Sequence, residues 1–451
     1  MNRLALGAAL CGAMLAGPAE GRRWTVGGHN ADFPLIAPAL AAASAGDVVL
    51  VRGGVYREDL VLPRRVALIG EGGPVLVGTG LGTVITVLAD GCEVRGFAIE
   101  GSGTGQTSRM DAGIRVASNG NRIVGNRIVR VFYGVVVEGA SANAILDNTI
   151  AGFADLPFGR RGDGIYCYRA PDNLVRGNRI SGMRDAIYFQ YAPRCRAEDN
   201  LAETSRYGLH DMFSDDAHIV GNQFRSCSIG ANVMNSRRIR IAGNRFESNR
   251  GASSAGLVLK ECDDSRVEDN IMRDNARGLQ VEGAASNYFS ANRFRDNDTA
   301  LRLFSSAEEN VFTRNDFRHN LSGLVFSGGV STSRFADRGR GNLWSGYRGF
   351  DFDGDGVGDA PHPLLGSFEK LEGNNPAVRL FLQCPAASAL ELAARSLDLS
   401  DRTITDDAPL VPGPAPARDG APRKPAATRG LAAGVLAAGA IGLVTTRVRP
   451  C

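Results

Sequence analysis

The sequence predicts an all-β chain, a right-handed parallel β-helix of the pectate-lyase-like kind, on three columns of residues that recur about every 22 positions. The first column is asparagine: Asn126, Asn148, Asn178, Asn200, Asn222, Asn244, Asn270, Asn292 and Asn315, with successive gaps of 22, 30, 22, 22, 22, 26, 22 and 23. Two positions after each comes an apolar residue: Ile128, Ile150, Ile180, Ala202, Phe224, Phe246, Met272, Phe294 and Phe317. Fourteen positions before several of them stand Gly134, Gly164, Gly208, Gly230, Gly256 and Gly278, with Ala186 in the same register. A unit this short has no core of its own and must stack on its neighbours as one coil of a solenoid. Coils then rise about 4.8 Å apart, the spacing of strands in a sheet, and side chains one period apart point the same way. The asparagines are expected to bond along the stack in the left-handed backbone that asparagine tolerates at turns. A leucine-rich repeat has a similar period, but leucine is not the recurring residue and no helical segment separates the strands.

The elements follow in order. Residues 1–19 read as a secretory signal: Met1-Asn2-Arg3, an apolar run from Leu4 to Leu15, then Ala16-Gly17-Pro18-Ala19. That run is too short to span a bilayer. Residues 24–385 are assigned to the β-helix. Its end is expected to be capped by a short helix over Leu35 to Ala45, with coils beginning near Val49, because an open stack end exposes unpaired strand edges. The 30-residue gap implies an eight-residue insertion around Phe153 to Arg161, and the 26-residue gap a smaller one near Ser253. Insertions in a solenoid become loops on one side, where function concentrates. The domain closes on an Asp/Gly-rich loop. Residues 386–429 read as a Pro- and Ala-rich linker, and residues 430–451 as a hydrophobic tail that is either a borderline membrane anchor or disordered.

Composition excludes some partners. A net charge of +3 gives no bulk electrostatic case for nucleic acid or an anionic membrane. Cys11 leaves with the signal. Cys92, Cys167, Cys195, Cys227, Cys262, Cys384 and Cys451 show no C-x-x-C spacing, and Cys167 and Cys195 fall at different points of successive repeats. Isolated buried thiols are therefore expected, without a disulfide framework.

Chemistry is sought on the outward positions. Residues 11 and 13 before each Asn are mostly apolar and face the core, so residues 10 and 12 before it face out. They are Tyr166 and Tyr168, Tyr188 and Gln190, His210 and Met212, Asn232 and Met234, Val258 and Lys260. An exposed face carrying Tyr, His and stacked Met is expected. Thioether plus imidazole suits transient Cu(I) in an exported compartment, and the same residues suit an apolar protein-docking patch. Asp163 and Asp185 lie one coil apart with Arg184 and Arg206 beside them. Such carboxylates could serve as catalytic acid and base of a carbohydrate-active β-helix enzyme, a lyase, epimerase or hydrolase. The favoured reading is a turn-side ladder of ion pairs, and no His is expected next to them. Asp211 falls among core-facing residues, where a local distortion or a buried hydrogen bond is expected. Asp351, Asp353, Asp355 and Asp359 have the spacing of a structural calcium clip or of a solvated Asp/Gly turn. They are not an EF-hand, since His362 stands where the bidentate Glu is needed.

Five segments in order, Arg160 to Tyr166 (RRGDGIY), Arg184 to Tyr188 (RDAIY), Arg206 to Asp216 (RYGLHDMFSDD), Gly256 to Glu261 (GLVLKE) and Gly341 to Asp359 (GNLWSGYRGFDFDGDGVGD), resemble the NosD family of nitrous oxide reductase maturation proteins. The resemblance covers the chain from about Asp47 to Pro385. It implies a periplasmic β-helix that supports assembly of the copper-sulfur centre of nitrous oxide reductase. The implied partners are an ABC transporter of NosF- and NosY-type subunits, a NosL-type copper chaperone and the reductase itself. The implied role is that of an assembly factor, not a catalyst, and it puts weight on His210, Met212 and Met234. The chain departs from the family pattern at Asp211 and Asn235, where the resemblance leads one to expect aromatics.

Overall fold

The computed structural model describes residues 21–104, 109–153, 155–365, 384–385, 389 and 404–411. Within them the chain winds into a parallel β-helix of three sheets with 13, 12 and 11 strands, each strand hydrogen-bonded to its equivalents in the coils before and after. The 13-stranded sheet runs from Arg23–Val26 to Val311–Thr313, the 12-stranded from Leu60–Leu62 to Ser322–Ser327, and the 11-stranded from Val55–Arg57 to Arg293–Arg295. The register is the one the period demands, with Ile187 opposite Leu209 and Leu209 opposite Ala231. Inward residues fill one continuous core. Its phenylalanines stack face to face, Phe224 on Phe246 at 5.2 Å and Phe294 on Phe317 at 4.6 Å. Each such side chain withdrawn from water contributes about 1.5–3 kcal/mol.

The Asn column forms a ladder. Asn222 is typical: its Oδ1 accepts the backbone N–H of Asn200 (3.0 Å) and the Asn200 amide (2.9 Å), while its own amide donates to Ala197 O (2.8 Å) and Asn244 Oδ1 (3.0 Å). The left-handed residue, however, is the one before each Asn: Gly125, Asp147, Gly177, Asp199, Gly221, Gly243, Asp269, Ala291 and Arg314 all have positive φ, and the Asn residues do not. The asparagines are selected for their side-chain bonds and their neighbours for the turn. The glycine column answers to close approach. A Cβ on Gly230 would lie 2.4 Å from Gly256 O and 2.8 Å from the Phe246 ring.

Both ends of the domain depart from expectation. The stack does not begin near Val49, because Arg23–Val26 already pairs in parallel with Val48–Arg52. The helix is shorter, Ile36–Ala42, and lies between those two strands in chain order; the carboxylate of Glu58 takes its first N–H groups, Ile36 and Ala37, both at 2.9 Å. At the other end, residues 404–411 fall inside the expected linker but belong to the folded unit, where Thr405–Asp406 pairs with His362–Pro363. Asp406 has no exposed surface, and its Oδ2 accepts Asn342 N (2.7 Å), Asn342 Nδ2 (3.1 Å) and Trp344 Nε1 (2.8 Å). It ends the asparagine ladder with a carboxylate. The signal and the tail over 430–451 lie outside the described residues, and no described helix is long and apolar enough to cross a membrane. Cys92, Cys167, Cys195, Cys227 and Cys262 are buried and unbridged, although Cys167 and Cys195 meet in the core: the Cys195 thiol and burial together push Cys167 well above the usual thiol range.

Candidate functional site

Four consecutive strands of the 12-stranded sheet build the site: Ile165–Tyr168, Asp185–Gln190, Tyr207–Met212 and Ile229–Arg237. Their parallel register aligns Tyr166, Tyr188, His210 and Asn232 in one outward column and Tyr168, Gln190, Met212 and Met234 in the next. Met212 and Met234 are thus direct neighbours, as the period predicts. The exposure predicted for the first column is not found. Tyr166 and Tyr188 are 7% exposed and His210 9%, while Met212 and Met234 are half-buried. Flat rings stacked at the strand spacing cover one another's faces: Tyr166 on Tyr188 at 5.0 Å, Tyr188 on His210 at 4.2 Å and 6°. Phe132, Tyr133 and Val136 complete a small apolar cluster outside the solenoid core, and Phe153 from the insertion packs against it.

Asp163 and Asp185 have no exposed surface. Arg184 clamps Asp163 through Nε (2.9 Å) and a terminal nitrogen (2.6 Å), and Arg206 clamps Asp185 at the same two distances. This is the ion-pair ladder. Burial and the like charge of Asp185 push Asp163 above the ordinary carboxylate range against the pull of Arg184. Burial works on Asp185 in the same sense, but the hydrogen bonds from His210 and Arg206 outweigh it and hold Asp185 low. The expectation that no His stands beside these carboxylates is therefore wrong: His210 Nδ1 is 3.1 Å from Asp185 Oδ2. The pair is 25 residues apart, a diagonal between coils that a column comparison does not bring together.

The other ring nitrogen, His210 Nε2, is buried and has no hydrogen-bond partner. Two thioethers lie in the next outward column of the same strands. Tyr188 donates its hydroxyl to Met212 Sδ at 3.7 Å, and the Asn232 amide donates to Met234 Sδ at 3.2 Å. Asp211 points into the core; Oδ1 accepts Ser236 Oγ at 2.8 Å, Oδ2 has no partner, and burial pushes the carboxyl well above its ordinary range. Sequence reasoning overlooked Tyr191 and Phe213. They are 46% and 39% exposed, stack at 5.0 Å and 5°, and both adopt positive φ, which costs energy in bulky residues. Their signal was a 22-residue separation one place after Gln190 and Met212.

In the Asp/Gly-rich loop, carboxylate oxygens of Asp351, Asp353 and Asp355 lie within 4.8 Å of one another. Asp359 stands apart from the expected set, its Oδ2 accepting Phe352 N at 2.7 Å. Asp351 accepts the N–H groups of Gly354 (2.7 Å) and Gly356 (2.9 Å), the pattern of an Asp/Gly turn.

A family described as periplasmic copper-binding protein (NosD) matches residues 153–349. A "Probable ABC transporter binding protein NosD" of Pseudomonas aeruginosa is 31% identical over 80% of this chain and 87% of its own length. A protein of the same name from Stutzerimonas stutzeri is 26% identical over 79% and 85%. Among solved structures, the A-module of the Azotobacter vinelandii mannuronan C-5 epimerase AlgE4 aligns at 16% identity over 68% of this chain and 87% of its own, with a TM-score of 0.40. A family 28 exopolygalacturonase of Yersinia enterocolitica aligns at 11% over 68% and 73%, with a TM-score of 0.45.

Proposed function

The chain belongs to the NosD family, and on that premise we propose that it is a periplasmic accessory protein for maturation of the copper-sulfur centre of nitrous oxide reductase. It acts as an assembly factor, a platform on which an ABC transporter of NosF- and NosY-type subunits, a NosL-type copper chaperone and the apo-reductase dock. The observation that carries the reading is His210. A buried imidazole nitrogen without a partner, set in a face with two half-buried thioethers, is matched to a soft cation that is handed on. The exposed stack of Tyr191 and Phe213 beside Met212 offers a partner rigid aromatic contact. Copper is cargo here, and the transfer needs accessible ligands, which half-buried Met212 and Met234 provide.

The carbohydrate-active alternative draws no support from the carboxylates on which it rested. Asp163 and Asp185 are sealed from solvent and saturated by arginine, so neither presents an oxygen to a sugar. The test is a deletion strain. Nitrous oxide reductase from it should be exported yet lack its copper-sulfur centre; a fully loaded reductase would refute the role.

A further inference from the structure

We propose that Asp185 is the positioning residue of this face: it takes the Nδ1 proton of His210 and thereby leaves Nε2 unprotonated as the donor for Cu(I). The inference rests on the copper reading above and names what sets the site's ligand. A neutral imidazole carries one N–H, and which nitrogen carries it is decided by the partner of the other. An ionised carboxylate only accepts. Arg206 grips both oxygens of Asp185 with two charge-assisted bonds, at 2.9 and 2.6 Å, which keeps Asp185 ionised although it has no exposed surface. At 3.1 Å from Oδ2, Nδ1 must therefore hold the hydrogen. The lone pair is left on Nε2, buried and unpartnered.

The ring cannot easily turn to escape this. Tyr188 lies flat against it at 4.2 Å, and Tyr207 meets it edge-on at 5.2 Å and 80°. A flipped ring would set carbon against the Asp185 carboxylate. Tyr188 serves both ligands, its ring against His210 and its hydroxyl on Met212 Sδ, so imidazole and thioether are held by one side chain. A carboxylate behind a metal-binding imidazole fixes its tautomer and raises its basicity, and loss of such a partner costs about 10–100-fold in metal affinity.

The experiment uses the mature protein labelled with 15N-histidine. Long-range 1H–15N correlation of the copper-free protein reads the tautomer of each of the 5 histidines, and His210→Gln assigns the signal. Cu(I) affinity is measured by competition with a chromophoric Cu(I) chelator. The expected result is a proton on Nδ1 of His210, with Nε2 bare. Asp185→Asn should mix the tautomers and weaken Cu(I) by about 10–100-fold, and Asp185→Glu should restore part of both. A wild-type His210 protonated at Nε2 overturns the inference without any variant having to fold. So does an Asp185→Asn protein with unchanged tautomer and affinity. Equal Cu(I) binding by wild type and His210→Gln would instead remove the copper face, and with it the ligand role assigned to Nε2, while the tautomer would still be decided by the spectrum.

Discussion

Asp211 stands in the core between Phe189 and Val233 of the adjoining coils, with one carboxylate oxygen bonded and one bare. A buried polar atom without a partner costs about 1–3 kcal/mol. Asp211→Val, which copies the next coil, should therefore stabilise the fold by about that amount, as read from denaturant midpoints; Ser236 keeps Met234 O as an acceptor at 2.9 Å. Asp316 is the opposite case. Burial works to raise it, but hydrogen bonds from Arg295 and Arg318 outweigh that and hold it well below its ordinary value of 3.8. A folded value below the unfolded one gives stability that is present above pH 3.8 and lost as pH falls through the depressed value. Asp316→Asn should remove that component, so that its destabilisation, about 2 kcal/mol at pH 7, shrinks towards zero in acid. At this scale the sequence revealed side-chain direction but not exposure. Period two shows that Tyr166, Tyr188 and His210 point outward. Whether water reaches them depends on how rings of successive coils cover each other, and that is a property of the stack. The bond between His210 and Asp185 was hidden for a related reason, since it crosses from one coil to the next at unequal positions.

The asparagine ladder is the element whose design is plainest in the sequence, and its bonds make the cost of interrupting it calculable. Asn222→Ala strands two donors of Asn200 and removes the amide bond to the Ala197 carbonyl, while Asn244 Oδ1 keeps the backbone N–H of residue 222 at 2.9 Å. Destabilisation on the order of 3 kcal/mol is expected, with loss of amide protection centred on the coils above and below. Asp406→Ala should act locally. It removes the acceptor of Asn342 and Trp344, so hydrogen exchange should accelerate at residues 404–411 and at the last coil while the central coils stay protected. Position 406 could not be picked out beforehand, because a ladder terminator breaks the period and lies 64 residues beyond the Asn it serves. The first strand, Arg23–Val26, was missed because the helix follows it and it carries none of the three columns. The asparagines themselves were found for the right contact and the wrong backbone, the turn conformation belonging to the residue one place earlier, Gly or Asp in seven of the nine coils.

At the largest scale, within the described residues, a short repeat becomes stacked coils in which neighbours in space are residues 22 apart. Here one face aligns two tyrosines, a histidine and two methionines, the alignment to which the proposed function assigns a copper cargo. The most direct measurement is X-ray absorption at the copper edge of the protein loaded with one equivalent of Cu(I), in wild type and in a Met212→Leu, Met234→Leu double variant. Imidazole and sulfur scattering together in the wild type, with the sulfur shell lost in a variant that melts at the same temperature, is the predicted result. A wild-type spectrum without sulfur, or a sulfur shell that survives the double substitution, would contradict it.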